Sequence, residues 1–368
     1  MIRKQIHIIR LFAACAAGLV ASAAFAGPVT GWTAAHEIVG QTSTATIAGG
    51  GNALYMAPKP AYSGAVGILM NYGAAGSFVC SGSLIGAQSV LTAAHCVSDG
   101  TTARPISTTV FFYGGAADPA VYAGGAGITQ IGVSNIFVNP LYTGQVVDQN
   151  DIAVLKLSEA APNYAPIYGL SGLTDLTGVD HIIAGYGVRS DTGGSVGSNL
   201  GTGRLRYAGN RFDFRFGDPD FAGYWDNGFG GADVDNVWIS DFDNGTALRD
   251  GSCNVGIFEG FIDPVFSTDK YCNTGIGEFE GIGGGGDSGS AYFVNGEVAA
   301  VHSFALWYRG DESNNRFGQL KGAVSVYEHM DFIRASMGVP EPATWAMVLL
   351  GLGAAGAAGR RRRASVAG

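Results

Sequence analysis

Short runs in which apolar and polar positions alternate, interrupted every few residues by glycine, dominate the chain. The segments 66–72, 77–85, 108–113, 152–157, 181–186, 291–294 and 297–304 read as strands. Many short strands between glycine-rich turns predict an all-β sandwich or barrel. Only 326–337 has a helical period, with Met330, Ile333 and Met337 on one face. Residues 187–252 fit neither period. They are rich in Gly, Asp and Asn yet carry Phe212, Phe214, Phe216, Phe221, Tyr224, Trp225 and Trp238, so the segment reads as an elaborated surface insertion in the second half. No internal repeat is evident.

Both ends fall outside this pattern. Arg3, Lys4 and Arg10 precede the apolar run 11–20, and Ala24-Phe25-Ala26 forms a small-x-small site. This is the layout of a signal peptide at 1–26, the alternative being an N-terminal anchor. At the other end, Val339-Pro340-Glu341-Pro342 is followed by apolar residues 343–359 and Arg360 to Arg363. The apolar stretch is near the lower length limit of a spanning helix, and the arginines would hold its end on the cytoplasmic side. The 339–368 layout closely resembles the PEP-CTERM sorting tail. That resemblance implies processing by an exosortase-type enzyme and delivery to the envelope, outer surface or extracellular matrix of a Gram-negative bacterium. A permanent single-pass anchor is the alternative.

Without the ends, the charge balance sharpens. Of 21 Lys+Arg, seven lie in the two terminal segments, and of 30 Asp+Glu only Glu341 does, so 14 cationic face 29 anionic side chains, about −15. Such a body lacks the basic patch that nucleic acid or an anionic membrane surface requires, and membrane contact is expected only through the tail. Cys15 leaves with the signal. Cys80, Cys96, Cys253 and Cys272 remain, an even set that reads as two disulfides in an exported protein. None has the Cys-x-x-Cys spacing of a zinc site.

Three local sequences carry candidate chemistry. Ser89 to Cys96 is a strand delivering His95 beside a half-cystine. Asn150-Asp151-Ile152-Ala153 places an aspartate at the mouth of an apolar strand. Gly283 to Ser290 holds Ser288 in a glycine-rich turn. A serine hydroxyl is a weak nucleophile until a histidine takes its proton, and an aspartate fixes that imidazole's tautomer. Glycines before the serine let backbone N–H groups converge where a carbonyl oxygen becomes negative, here those of Gly286 and Ser288. The order His, Asp, Ser differs from the order in α/β-hydrolases and in subtilisin. Ser290 also breaks the Gly-x-Ser-x-Gly pattern. Gly281 to Gly286 formally fits a dinucleotide fingerprint, but no βαβ unit surrounds it.

Together these motifs resemble the trypsin/chymotrypsin family. Cys80-Ser81-Gly82-Ser83-Leu84-Ile85 with Ala93-Ala94-His95-Cys96 is similar to that family's first-barrel signature. Asn139-Pro140-Leu141-Tyr142, Ala184-Gly185-Tyr186-Gly187 and Val301-His302-Ser303-Phe304-Ala305 also find counterparts in it. The resemblance spans most of 38–338, with 27–37 as a possible propeptide. It implies two packed six-stranded antiparallel barrels with a short C-terminal helix, and a secreted, monomeric serine endopeptidase acting on proteins or peptides. It further implies a His95–Asp151–Ser288 triad and a Cys80–Cys96 disulfide. Cys253 and Cys272 would close one loop ahead of the nucleophile turn.

Departures bear on specificity and activation. Ile38-Val39-Gly40-Gln41 resembles the family's mature N-terminus, whose amine would pair with Asp287, but Glu37 rather than Arg or Lys precedes it. Ile282 stands at the expected pocket base, which argues against Arg or Lys at P1, the residue before the scissile bond. His302, with Ser303, Phe304 and Ala305 beside it, occupies the place where glutamyl endopeptidases hold a histidine. An apolar or small P1, or Glu, is therefore expected. Asp233, Asp235, Asp241 and Asp243 are candidate calcium ligands, the alternative being a solvated acidic loop. No other cofactor is expected. A catalytically silent binding module or matrix protein is the competing reading.

Overall fold

The computed structural model describes residues 38–221, 225, 231–253, 270–306 and 315–338. A two-residue strand, β1 (Val39–Gly40), comes first. β2 (Ala65–Asn71), β3 (Ser77–Gly86), β4 (Ser89–Thr92), β5 (Ser107–Tyr113), β6 (Ile128–Val138) and β7 (Ala153–Leu157) follow and close into an antiparallel barrel in the order β2-β3-β4-β7-β6-β5. Alternation explains the closure, because inward positions such as Ile68, Val90, Val110, Phe112 and Val154 are buried in one shared core.

The second half is one curled antiparallel sheet. Its strands are β8 (Asp180–Gly185), β9 (Arg206–Arg211), β10 (Phe214–Arg215), β11 (Val237–Asp241), β13 (Ala291–Val294), β14 (Glu297–Leu306) and β15 (Leu320–Ser325), in the order β10-β11-β15-β14-β13-β8-β9. β12 (Gly281–Ile282) stands apart and pairs with β1, Val39 opposite Ile282. The chain ends in α1 (Met330–Met337), which turns Ile333 into the first core and stops at Gly338 in the left-handed region. The all-β architecture in two antiparallel halves with a short C-terminal helix is therefore observed. The second half differs in having seven strands with β10 and β9 left at opposite edges.

Residues 187–252 are not a surface insertion. They supply β9, β10 and β11, and Phe212, Phe214, Phe216 and Trp238 are buried. The polar residues that hid these strands have partners. Asn210 donates from Nδ2 to the carbonyls of Asp241 (2.6 Å) and Gly281 (3.0 Å). Arg206, 1% exposed, donates through both terminal nitrogens to Asp118 (2.9 and 2.8 Å) and also to the carbonyls of Thr44, Leu205 and Ala45. One guanidinium thus ties β9 to the loop before β6 and to the N-terminal segment. Arg206→Ala is expected to cost roughly 3–5 kcal/mol, because it strands a carboxylate and three carbonyls; the urea midpoint measures it.

Candidate active site

β4 runs straight into a 3₁₀ turn, Ala94–Cys96, that carries His95, and the Cys80–Cys96 disulfide pins this turn to β3. Asp151 lies in the loop entering β7. Asp148 shapes that loop by accepting from the backbone N–H of Asn150 and from Thr143. His329, just ahead of α1, donates from Nε2 to the Gln149 carbonyl (2.6 Å) and accepts from Asn139 at Nδ1 (3.0 Å). The C-terminal element therefore holds the aspartate loop in place.

His95 and Asp151 meet inside this frame. His95 donates from its backbone N to Asp151 Oδ1 (2.8 Å) and from Nδ1 to Oδ2 (2.7 Å). A β-bulge between His302 and Phe304 aims the Ser303 hydroxyl at the same Oδ2. Burial by itself would raise the Asp151 carboxyl, but His95 and the Ser303 hydroxyl hold it below its ordinary value. With Nδ1–H committed, Nε2 is the nitrogen left to exchange a proton.

The Ser288 turn is docked on the end of that barrel. The Ser288 carbonyl accepts from Ser81 N (2.9 Å) and lies 3.6 Å from Cys96 Sγ, beside the His95 turn. Ser81 donates its hydroxyl to the Gly286 carbonyl (2.8 Å) and accepts from Tyr186 N (2.9 Å), so one small side chain on β3 braces both halves. Gly286 and Gly289 have φ of 91° and 84°, which sets the turn. A Cβ on Gly289 would lie 2.0 Å from Thr92 Oγ1 and 2.3 Å from the Ser81 carbonyl. Among the described residues, neither the Gly286 nor the Ser288 N–H donates to a protein acceptor.

Asp287, fully buried, faces the other way. It accepts from Ile38 N (2.6 Å), Gly187 N (2.8 Å) and Gly284 N (2.9 Å). Burial pushes its carboxyl up to about 7 against the pull of the Gly284 and Gly187 N–H groups and of Lys321.

The expected pocket residues are gathered but tightly filled. Ile282 packs with Val39 and Phe242, and Phe304 lies against Phe216 and over Gly322. Ala305 is buried beside it. His302 shares a hydrogen bond at Nδ1 with the Tyr292 hydroxyl (2.9 Å), and its Nε2 lies 2.9 Å from where a Cβ on Gly283 would sit. Cys253 and Cys272 are bridged. Glu37 and residues 343–359 lie outside the described residues. The four candidate calcium ligands are not brought together: Asp233 and Asp235 are exposed, whereas Asp241 and Asp243 are buried beside Glu280. Ser81, Asp148, His329 and Glu280 were missed as site-shaping residues. Ser81 sits within a motif quoted above, but its role depends on partners far along the chain, Tyr186 and Gly286.

Comparison with known proteins gives two matched regions. Residues 57–211 match the Trypsin family and residues 338–363 the PEP-CTERM protein-sorting motif. The first match includes His95 and Asp151 and ends before Ser288. Chymotrypsin-like elastase family member 3B of Homo sapiens is 36% identical over 97 residues, 26% of this chain and 33% of that protein. Proproteinase E of Bos taurus is 34% identical over 103 residues, 27% of this chain and 38% of that protein. The chain thus spans about a third of the length of these relatives. A solved collagenase structure covers 78% of this chain and 98% of its own at 19% identity, with a TM-score of 0.49. On the geometry alone, Gly289→Ala is expected to cost about 2–4 kcal/mol, from strain at positive φ plus collision with the β3 and β4 backbone. Differential scanning calorimetry reads the loss, and an unchanged melting point would contradict this packing.

Proposed function

From a chain that carries a trypsin-family region at 57–211 and a PEP-CTERM sorting motif at 338–363, we propose a serine endopeptidase that works through an acyl-enzyme on Ser288. The observation that carries this reading is the hydrogen-bonded Asp151–His95 pair set beside a serine turn whose Gly286 and Ser288 N–H groups have no acceptor among the described residues. Ser288 Oγ attacks the scissile carbonyl carbon while His95 Nε2 takes the hydroxyl proton. Asp151 stabilises the imidazolium that forms. The carbonyl oxygen, now negative, accepts from the Gly286 and Ser288 N–H groups, each such donor being worth about 3–4 kcal/mol in the transition state. Collapse breaks the C–N bond, and His95 returns its proton to the leaving amine. Water then repeats the sequence and releases the acid.

For P1 we assign a small or apolar side chain. Ile282 offers no counter-charge to a basic residue, and Phe304 fills the space over Gly322. An elastase among the relatives agrees with this, since a small pocket selects small P1 residues. One observation favours Glu instead: His302 Nε2 lies beside Gly283, where an imidazolium would meet a carboxylate. Activation is assigned to cleavage at Glu37–Ile38, which would give the buried Asp287 an ammonium partner. That pairing raises the Ile38 amine above its ordinary value, so the ammonium's contribution, present while Asp287 is ionised, is lost as the pH rises through the raised value.

The sorting motif indicates export to the cell envelope. We assign processing to an exosortase-type enzyme, the destination to the outer surface or matrix of a Gram-negative bacterium, and the active form to a monomer. Labelling mature protein with a fluorophosphonate is expected to modify Ser288, and His95→Ala should abolish it. Asp151→Asn should lower kcat by about 10⁴-fold. Protein that begins at Ile38 and does not label would instead be a silent binding or matrix protein. Activity of the labelling protein that begins at Ile38 should fall on the alkaline side, and a flat alkaline limb would overturn the Ile38–Asp287 assignment. A peptide library separates the P1 readings: small-residue preference that survives His302→Ala supports the first, and Glu preference that His302→Ala removes supports the second.

A further inference from the structure

Beneath the β1–β12 pair lies a group of buried acids that catalysis does not use. Asp241 ends β11, Asp243 follows it, and Glu280 immediately precedes β12. One carboxylate oxygen from each lies within 4.8 Å of the others, and the three residues are 1%, 1% and 0% exposed. Among the described residues, both side-chain oxygens of Asp243 are buried without a donor from backbone or cationic side chain, and its carboxyl group lies against that of Asp241. Among the described residues, no lysine or arginine forms an ion pair with any of the three.

Such an arrangement is unfavourable as it stands. A buried carboxylate needs donors or a counter-charge, and like charges at this separation repel. The donors present satisfy only part of the group. Glu280 accepts from Asp243 N (2.5 Å) and Ile276 N (2.8 Å), and Asp241 accepts from Ser252 N (2.8 Å). Arg211 acts on Glu280 from a distance, whereas Asp213 and Asp250 add further negative charge. Burial and then its acidic neighbours push Asp243 up to about 9, and burial pushes Glu280 up to about 7.

We propose that Asp241, Asp243 and Glu280 form a calcium site. The donors are all hard oxygens, and the unpartnered Asp243 carboxylate is suited to bind in a bidentate way. Zinc would call for nitrogen or sulfur ligands, and the neighbouring Cys253 and Cys272 are committed to a disulfide. Magnesium gives up its water shell reluctantly and so is ill-suited to so dry a pocket. The site is tied into the N-terminal segment. Gln41 donates from its backbone to the Glu280 carbonyl (3.1 Å) and from Nε2 to the Asp243 carbonyl (3.1 Å). A bound ion would therefore fasten β11, β12 and the segment after Ile38 together. It differs from the set suggested by the sequence alone, since Glu280 replaces Asp233 and Asp235.

The test uses purified mature protein stripped with EDTA. Equilibrium dialysis should return about one calcium per chain, and a hundredfold excess over Kd should raise the melting midpoint by about 5 °C. Magnesium should produce no comparable rise. Asp243→Asn and Glu280→Gln should each weaken calcium binding at least tenfold, yet in EDTA Asp243→Asn should melt no lower than the parent, because among the described residues no backbone or cationic donor holds the carboxyl it replaces. Wild-type protein that takes up no calcium, or variants that bind it as well as wild type, would overturn the site. Should one variant fail to fold, the wild-type dialysis and the other variant still decide.

Discussion

The carboxylate of Asp287 lies wholly inside the protein with three backbone N–H groups converging on it, from Ile38, Gly187 and Gly284. Burying a charge is costly unless donors are held ready for it, so each of these three segments is constrained by the same atom group. Room has to be made as well. A Cβ on Gly185 would sit 2.2 Å from Asp287 Oδ1, and one on Gly187 would sit 2.4 Å from Oδ2. The Gly185-Tyr186-Gly187 motif is thus a cradle for a carboxylate, and the adjoining Ser288 turn takes its shape from that anchoring.

Anchoring from one side would still leave the turn free to shift relative to His95. The other side is supplied by the first barrel. Thr92 donates to the Ser81 carbonyl (2.8 Å), Ser81 bonds the Gly286 carbonyl and the Ser288 carbonyl, and the disulfide holds the His95 turn against the same strand. The nucleophile turn is fixed between a buried acid behind and a strand in front. That supports the acyl-transfer reading more strongly than the presence of three residue types, because reaction geometry tolerates little displacement.

How much of this was legible in the sequence depends on the range of the interaction involved. The three stretches that carry His95, Asp151 and Ser288 are local and read directly. The alternation of β2, β3, β5, β7, β8, β13 and β14 was equally local. β6 escaped because its outward positions are exposed and its pattern weak. β15 escaped because Lys321 interrupts it, a residue whose ammonium is buried against Asn315. β9 and β11 were hidden for the same kind of reason. Arg206, Asn210 and Asp241 look like surface residues until Asp118, the Gly281 carbonyl and Ser252 are brought to them. Polar residues satisfied at long range cannot be told from solvated ones by pattern alone.

The segment from Glu280 to Ser288 joins the two levels of the argument. It carries two buried carboxylates, Glu280 and Asp287, and among the described residues neither is ion-paired with a lysine or arginine. A fold that buries negative charge twice within eight residues must find positive charge elsewhere, or keep protons where they are not wanted at neutral pH. Asp287 meets the chain's own Ile38 nitrogen, which would become a cation on the proposed cleavage, and feels Lys321 more weakly. Among the described residues, Glu280, Asp241 and Asp243 meet only the distant Arg211, which is why a divalent ion is proposed as their counterpart. Between the two lies Ile282, held by β1, where Val39 stands opposite it. On the proposed reading, order around Ile282 depends on both charges being answered, and cleavage before Ile38 and cation binding would be two separate means of completing one rigid segment.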